Sequence, residues 1–138
     1  MKTLIREIRD DAAGFWSDAR GGVLSLTRCT ACGRVFHYPR LACIGCGGQV
    51  LERVPARGTG VVHSFTVVRY SPFGDHWAAD VPYCVAQIDL EEGVRMLSRL
   101  VDCVPESVRI GDAVQVVFVR TDDGEHVIPC FRPAARTA

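Results

Sequence analysis

The first twenty residues carry an apolar stripe with helical periodicity. The apolar side chains recur mostly at intervals of three and four positions; they are Leu4, Ile8, Ala12, Phe15, Trp16 and Ala19. We therefore predict a helix over residues 3–20, within an N-terminal segment of residues 1–22, ended by the glycine pair at 21 and 22. Phe15 and Trp16 add a large apolar surface to so short a helix, so they must be buried, either on this chain or on a partner.

After residue 57 the pattern changes to short runs of β-branched and aromatic residues separated by turn signals. Five runs predict five strands: GTGVVHSFTVVRYSP (58–72), YCVAQIDL (83–90), VRMLSRLVD (94–102), AVQVVFVRT (113–121) and HVIPCFRP (126–133). The turns EEG (91–93) and DDGE (122–125) predict two hairpins, and PESVRIGD (105–112) predicts a connection with room for one helical turn. We expect residues 58–138 to form a five-stranded barrel of the oligonucleotide/oligosaccharide-binding (OB) type.

The segment between them, residues 23–57, holds four of the seven cysteines. Cys29, Cys32, Cys43 and Cys46 form two C-x-x-C pairs ten residues apart, each followed by glycine, which suits tight turns around the sulfur atoms. Four thiolates close a tetrahedral shell, which is typical of a structural zinc in a rubredoxin-like ribbon. Iron would use the same ligands. A redox pair would need a βαβ setting that neither pair has, and a disulfide is rare in a reducing compartment.

Composition and charge narrow the function classes further. The formal net charge is zero, but residues 23–57 carry a net charge of +4 and residues 58–138 a net charge of −4. An acidic barrel and a single lysine are unlike a nucleic-acid-binding domain, which shows a strong basic excess. No apolar run approaches the roughly 18 to 20 residues that cross a bilayer, and the charged N-terminus is unlike a secretion signal. We expect a cytoplasmic, mainly β protein with no membrane segment.

Catalytic candidates outside the cysteine pairs are weak. Cys84 has the residue type of a thiolase-like nucleophile, but it lies in a predicted strand and is better interpreted as a small buried hydrophobe. His37 lies between the pairs, where four cysteines already complete the shell. His76, in the loop GDHWAAD, lies beside an aromatic residue and two aspartates, the nearest arrangement here to a catalytic group, but loops containing histidine and aspartate are common. Because a phosphate loop, a nucleophile elbow and a paired-carboxylate motif are all missing, the chain is unlike a self-sufficient enzyme.

Several motifs extend the cysteine pairs along the chain. They are FW (15–16), L-x-L-x-x-C-x-x-C-G (24–33), YPR-x-x-C-x-x-C-G (38–47), G-x-G-x-V-x-S-F-T-V-V (58–68), PYCVAQIDLEEGVRMLSRLVD (82–102), IGDAVQVVF (110–118) and PCFRP (129–133). In these motifs the chain resembles the zinc-ribbon/OB-fold family called acyl-CoA-associated, once classified as a domain of unknown function. The resemblance runs from Phe15 to Pro133. Tyr38 departs from the proline usual in the family, and we expect no functional loss from that.

The resemblance implies a partner rather than a reaction. Members act as small subunits of thiolase-fold acyl-CoA thiolases, acyltransferases and steroid side-chain aldolases. The thiolase-fold partner is in some cases a lipid-transfer-protein-like enzyme. The partner supplies the nucleophile or base; the ribbon/OB subunit stabilises it and helps to form the acyl-CoA channel. We therefore expect structural zinc, a coenzyme A thioester as shared substrate, no catalysis by this chain alone, and a heterotetramer with two copies of each subunit. A hydratase partner remains an alternative.

Residues for these contacts follow from the chemistry of coenzyme A. Arginines fork onto phosphate oxygens, and Arg40, Arg53 and Arg57 lie in the basic ribbon and at its junction with the barrel. The alternative is that they are solvated or paired with Glu52 and other nearby acids. Aromatic side chains are candidates for burial against a partner or between modules (Phe15, Trp16, Phe36) and for lining an acyl passage in the loop after the first barrel strand (Tyr70, Phe73, Trp77).

Two other functions compete with the accessory-subunit interpretation. A standalone OB-fold nucleic-acid-binding protein would use exposed aromatic side chains on a basic barrel face, but the barrel half is net acidic. A standalone acyl-CoA hydrolase or transferase would use Cys84 or His76. It would require turnover by the purified chain that is lost when the nucleophile is replaced.

Overall fold

A computed structural model describes residue 1, residues 7–71 and residues 74–134, with the backbone alone at residue 76. Two predicted features, the apolar position Leu4 and the loop aromatic Phe73, lie outside the described residues. Within these ranges no helix has both the length and the apolar character needed to cross a membrane.

The N-terminal helix is shorter than predicted. A 3₁₀ turn over Asp10–Ala12 leads into helix α1 (Ala13–Arg20), and residues 7–9 are not helical, so the prediction of a helix over residues 3–20 is wrong at least there. Arg9 is extended, with ψ of 150°, and Asp10 and Asp11 follow in the first turn, where acidic side chains favour a helix start. The predicted apolar stripe holds over the described part, since Ala12, Phe15 and Ala19 are buried.

The cysteine segment folds into a three-stranded antiparallel sheet. Its strands are β1 (Ser25–Cys29), β2 (Val35–Phe36) and β3 (Leu51–Pro55), in the order β2-β1-β3. Thr27 is opposite Phe36 on one side of β1 and opposite Arg53 on the other. The two turns between the strands have glycines with positive φ at 33 and 47, whose amides donate to the carbonyls of Cys29 and Cys43. Glycine adopts this conformation without a steric penalty, which explains its place after each cysteine pair.

The second half of the chain forms the closed five-stranded barrel that the sequence predicts. Its strands are β4 (Thr59–Val68), β5 (Tyr83–Leu90), β6 (Arg95–Leu100), β7 (Ala113–Arg120) and β8 (Val127–Pro133), in the order β4-β5-β6-β8-β7. A short helix, α2 (Asp75–Ala78), lies between β4 and β5, and a 3₁₀ turn over Pro105–Ser107 lies between β6 and β7. Burial alternates along β5, as expected for a strand with one face on the core.

Helix α1 connects the ribbon sheet to the barrel. The Phe15 ring lies in one continuous core with Leu24 and Leu26 of the ribbon and with barrel residues such as Ile88 and Phe131. This packing places Phe15 inside the chain rather than on a docking surface.

Polar contacts of α1 reach the same two modules. The Trp16 indole N–H donates to the Tyr38 hydroxyl at 2.7 Å, and Arg53 Nε donates to Asp18 Oδ2 at 2.8 Å, both joining the helix to the ribbon. Arg20 Nη2 donates to the carbonyl of Glu125 in the β7–β8 hairpin at 2.9 Å. Trp16 therefore also makes its main polar contact within the chain.

Candidate metal centre and neighbouring surfaces

The four paired cysteines converge on one point at the end of the ribbon sheet. Their sulfur atoms all lie within 4.8 Å of one another, with 3.6 Å between Cys29 and Cys46 and 3.6 Å between Cys32 and Cys43. A zinc ion bound tetrahedrally at about 2.3 Å from each sulfur requires sulfur–sulfur distances of about 3.8 Å. The four thiols therefore fit one tetrahedral ion, and with four protein ligands its shell has no open position, as in a structural site.

The backbone supports the sulfur atoms of the second pair. The amide of Gly45 donates to Cys43 Sγ at 3.3 Å and that of Gly48 donates to Cys46 Sγ at 3.4 Å. A Cβ atom at Gly48 would lie 3.2 Å from Cys29 Sγ and 3.3 Å from Cys46 Sγ. Glycine at 48 thus lets the backbone approach the sulfur atoms closely.

The pKa values of two of these thiols are shifted in opposite directions. The backbone amides of Cys46 and Gly45 lower the pKa of Cys43 to about 6. The Gly48 amide lowers the pKa of Cys46, but contacts with the Cys29 and Cys32 thiols outweigh it and raise that pKa to about 11. Four thiolates so close together repel one another unless a cation lies between them, so metal binding releases the remaining protons. This donor set fits zinc, which the four cysteines would hold while contributing to the stability of the ribbon.

His37 is not part of this cluster. Its ring lies 5.1 Å from the Phe15 ring and 5.2 Å from the Tyr38 ring, and its Nδ1 is buried without a hydrogen-bond partner among the described residues. Burial, with a smaller contribution from the charge of Arg40, lowers the pKa of His37 to about 4. The ring is therefore neutral at pH 7 and belongs to the aromatic packing between α1 and the ribbon.

Two of the three arginines predicted to contact coenzyme A line the same cavity. Arg40 and Arg53 are both on the wall of a cavity of about 170 Å³ between the start of α1 and the ribbon sheet. Arg53 is also paired with Asp18, as the alternative interpretation of these arginines expected. Arg57 is outside this cavity; its guanidinium lies 3.3 Å from Glu91 and its amide donates to Glu92 at 2.8 Å. Contact with phosphate stays a prediction for all three.

The aromatic residues predicted to dock on a partner are mostly used inside the chain. Phe36 is buried in the small ribbon core with Cys29 and Cys43, and Phe15 and Trp16 pack between the modules. In the loop after β4, Tyr70 is 80% exposed, and Trp77 is half-buried with an interaction inside the protein.

The ribbon exposes aliphatic side chains that the sequence did not single out. Leu41, Ile44 and Val50 are 72%, 59% and 71% exposed. Leu41 precedes the second cysteine pair, Ile44 lies within it and Val50 follows it. The only sequence signal for their exposure is that they are apolar residues in a glycine-rich segment, which has almost no core in which to bury them. A short ribbon has too little core to cover these three side chains, so they remain exposed.

The other cysteines are poorly suited to nucleophilic chemistry. Cys84 is 1% exposed, and burial, followed by the charge of Cys103, raises the pKa of its thiol. Burial raises the pKa of Cys130 to about 11. A reactive cysteine needs a lowered pKa and access to solvent, and both groups have the reverse. The side chain of His76 lies outside the described residues.

Two protein-family models match consecutive parts of the chain. The model described as "ChsH2, rubredoxin-like zinc ribbon domain" matches residues 16–52, and the model described as "ChsH2, C-terminal OB-fold domain" matches residues 53–119. Both descriptions agree with the sheet and the barrel described above.

Individual relatives extend this agreement. A "DUF35 domain-containing scaffold protein" of Methanothermobacter thermautotrophicus is 38% identical over 104 residues, which are 74% of this chain and 77% of that protein. A "Probable enoyl-CoA hydratase alpha subunit" of Thermomonospora curvata is 38% identical over 127 residues, which are 91% of this chain but 38% of that protein. The chain thus spans little more than a third of the length of that relative.

One solved structure is similar over nearly its whole length. A chain of the "Ltp2-ChsH2(DUF35) aldolase" superposes with a TM-score of 0.83 at 35% identity, covering 93% of this chain and 98% of that one. The ribbon, α1 and the barrel are therefore found together, in similar positions, in that solved structure.

Proposed function

Because this chain belongs to the ChsH2 (DUF35) family of zinc-ribbon and OB-fold proteins, we propose that it is an accessory subunit of an acyl-CoA-processing enzyme. The observation that carries the proposal is the likeness to the DUF35 chain of the aldolase along nearly its whole length. The relative named as a hydratase subunit supports the acyl-CoA class in the same way. The burial of Cys84 agrees with a subunit whose partner supplies the reactive groups.

The catalytic partner in this proposal has the thiolase fold, including its lipid-transfer-protein-like members. The chain stabilises that partner and helps to form the channel for the coenzyme A thioester, in a heterotetramer with two copies of each subunit. Arg40, Arg53 and Arg57 are the proposed phosphate contacts, and the exposed Tyr70 is a proposed contact for the acyl passage. A hydratase partner is the alternative that the second relative favours.

The apolar surface of the ribbon is the proposed docking site for the catalytic subunit. We define this surface by Leu41, Ile44 and Val50, which are exposed although they are large aliphatic residues. Burying aliphatic area gives about 25 cal/mol per Å², so three such side chains can contribute several kcal/mol to association. Arg34 and Arg40, which have no ion-pair partner in the described part of the chain, lie beside this sequence region and would favour an acidic rim on the partner.

The test is co-purification from the native host followed by reconstitution. Tagged chain should retain an acyl-CoA-processing subunit at about equal stoichiometry, and that subunit should be more stable or more active in the complex than alone. The double variant Leu41→Asp/Ile44→Asp should lose the partner while keeping its metal. The matched control is Leu97→Asp on the outer face of the barrel, a side chain that is 65% exposed.

Two results would contradict the proposal. Turnover of acyl-CoA by the purified chain would make it an enzyme in its own right. If the chain is a monomer that retains its metal, does not bind acyl-CoA enzymes and binds single-stranded nucleic acid, the nucleic-acid alternative is favoured instead. If the double variant retains the partner and the barrel control loses it, the docking site lies on the barrel instead. The accessory role would still stand.

A further inference from the structure

The cavity between α1 and the ribbon is lined mostly by polar side chains. It measures about 170 Å³ and is lined by the start of the helix on one side and by β1 and β3 on the other. Its polar side chains are Ser25, Thr27, Arg40, Arg53, Glu52, Asp10 and Asp11. Because a water molecule occupies about 30 Å³ in the liquid, the cavity holds about five waters or a compact polar group of similar size.

Two hydroxyl groups of β1 line this cavity. Ser25 and Thr27 are two positions apart on one strand and so project from the same face. Ser25 is only 4% exposed, and its Oγ is buried with no hydrogen-bond partner in the described part of the chain. A buried hydroxyl without a partner is costly, so a polar group in the cavity, whether water or a ligand, would be bound by it.

The acidic side chains around the cavity are largely committed to other arginines. Asp11 accepts from Arg9 at 3.1 and 2.9 Å, and Glu52 is held by the guanidinium of Arg28. These two carboxylates are therefore neutralised by groups that do not line the cavity.

The arginines, in contrast, have donors left over. Arg53 donates to Asp18 only through its Nε, and its Nη1 lies against Gly14, where an added Cβ would overlap the guanidinium. Arg40 has no hydrogen bond or ion pair within the described ranges. Together with the two hydroxyls, these arginines offer more hydrogen-bond donors without a partner than the cavity has carboxylates without one, since only that of Asp10 remains. This balance favours a ligand rich in acceptors, and guanidinium groups fork onto oxyanions.

We propose that this cavity binds a phosphate group, held by Arg40 and Arg53 and by the hydroxyls of Ser25 and Thr27. The volume accommodates one phosphate with a few waters but not a nucleotide, which needs a pocket above roughly 300 Å³. The phosphate is therefore either free inorganic phosphate or the protruding phosphate of a larger molecule whose remainder lies outside. Arg57 does not line this cavity, so its proposed phosphate contact would be a separate one. The proposal does not depend on the identity of the catalytic partner.

The experiment is a phosphate titration of the metal-loaded full chain, followed by the backbone amide signals in two-dimensional NMR. Sodium phosphate replaces sodium chloride at constant ionic strength, and adenosine 3′,5′-bisphosphate is titrated separately. Saturable shifts should be confined to amides around residues 25–27, 40 and 53. Equal affinity for both ligands assigns the site to free phosphate, whereas tighter binding of the bisphosphate assigns it to a nucleotide phosphate.

Variants decide whether the shifts come from this cavity. Arg40→Gln should weaken binding about ten- to a hundredfold, the range for a hydrogen bond to a charged group. Ser25→Ala should weaken it less, and Arg34→Gln, a ribbon arginine outside the cavity, should not change it. Metal content and the unfolding midpoint show that each variant is folded. Shifts that do not saturate, or that persist unchanged in Arg40→Gln, would overturn the proposal and leave the cavity to water alone.

Discussion

His37 should make the stability of the protein depend on pH. Its ring is packed between Phe15 and Tyr38, and burial and then Arg40 lower its pKa from 6.5 to about 4. A pKa that is lower in the folded state means that the unfolded state binds more protons between pH 6.5 and pH 4. The contribution of the neutral ring is therefore complete above pH 6.5 and declines as the pH falls.

The size of this effect follows from the two pKa values. Between pH 7.5 and pH 5.0 the free energy of unfolding should fall by about 2 kcal/mol through His37 alone, and by about 3 kcal/mol once the pH is below 4. The perturbation is His37→Phe, which keeps an aromatic ring in the cluster and removes the titrating group. Because the metal ligands also bind protons in acid, the informative quantity is the difference between the two proteins rather than either curve.

The assay is urea unfolding in excess zinc at several pH values between 5.0 and 7.5, followed by tryptophan fluorescence. The wild type should lose about 2 kcal/mol more than His37→Phe over this range. At pH 7.5 the two proteins should differ little, or the variant should be more stable, since it removes a buried nitrogen without a partner. Parallel curves for the two proteins would refute the reasoning and show that the ring is solvated enough to titrate normally.

Three further predictions concern the metal, the helix contact and the barrel junction. The purified chain should contain about one zinc. Cys46→Ser should lose both the metal and the amide-exchange protection of the ribbon, whereas Cys103→Ser should keep both. Metal analysis that finds no zinc in the wild type would contradict this. Tyr38→Phe removes the acceptor of the 2.7 Å indole hydrogen bond and should lower the free energy of unfolding by about 1–2 kcal/mol in urea unfolding. Gly58→Ala should cost more stability in the same assay than Gly124→Ala, because both have positive φ but only at Gly58 would a Cβ overlap Val116; equal losses would contradict that comparison.

The strands of the barrel were predictable because their signals are local. The run 83–90 and β5 have the same limits, and β7 starts where its run does, since turn residues border both. The N-terminal helix was predicted too long because the apolar spacing continues through Ile8, whereas the extended backbone at Arg9 starts the helix later. Helix α2 was missed, since four residues are too few to give a periodic pattern.

The metal site was predictable for the same reason, and the surroundings were not. The spacing of the cysteines identifies the candidate ligands from the sequence alone, and in the structure all four lie close together. The partner of Arg53 is Asp18, 35 residues away, and only the tertiary fold brings them together. The burial of Phe36 likewise depends on which side of the two-residue strand β2 faces the small core, which composition does not specify.

The contacts of α1 give a physical reason why a binding event on the ribbon would affect the barrel. Two of its contacts hold the ribbon, through Tyr38 and Arg53, and one holds the β7–β8 hairpin through the carbonyl of Glu125. The Phe15 ring fills the shared core between them. Since well-packed interiors transmit displacement instead of absorbing it, a partner that docked on the ribbon as proposed would constrain the barrel as well. Cys84 and Cys130 are buried whereas Leu41, Ile44 and Val50 are exposed, and this distribution supports the proposal that the chain binds a partner through its ribbon.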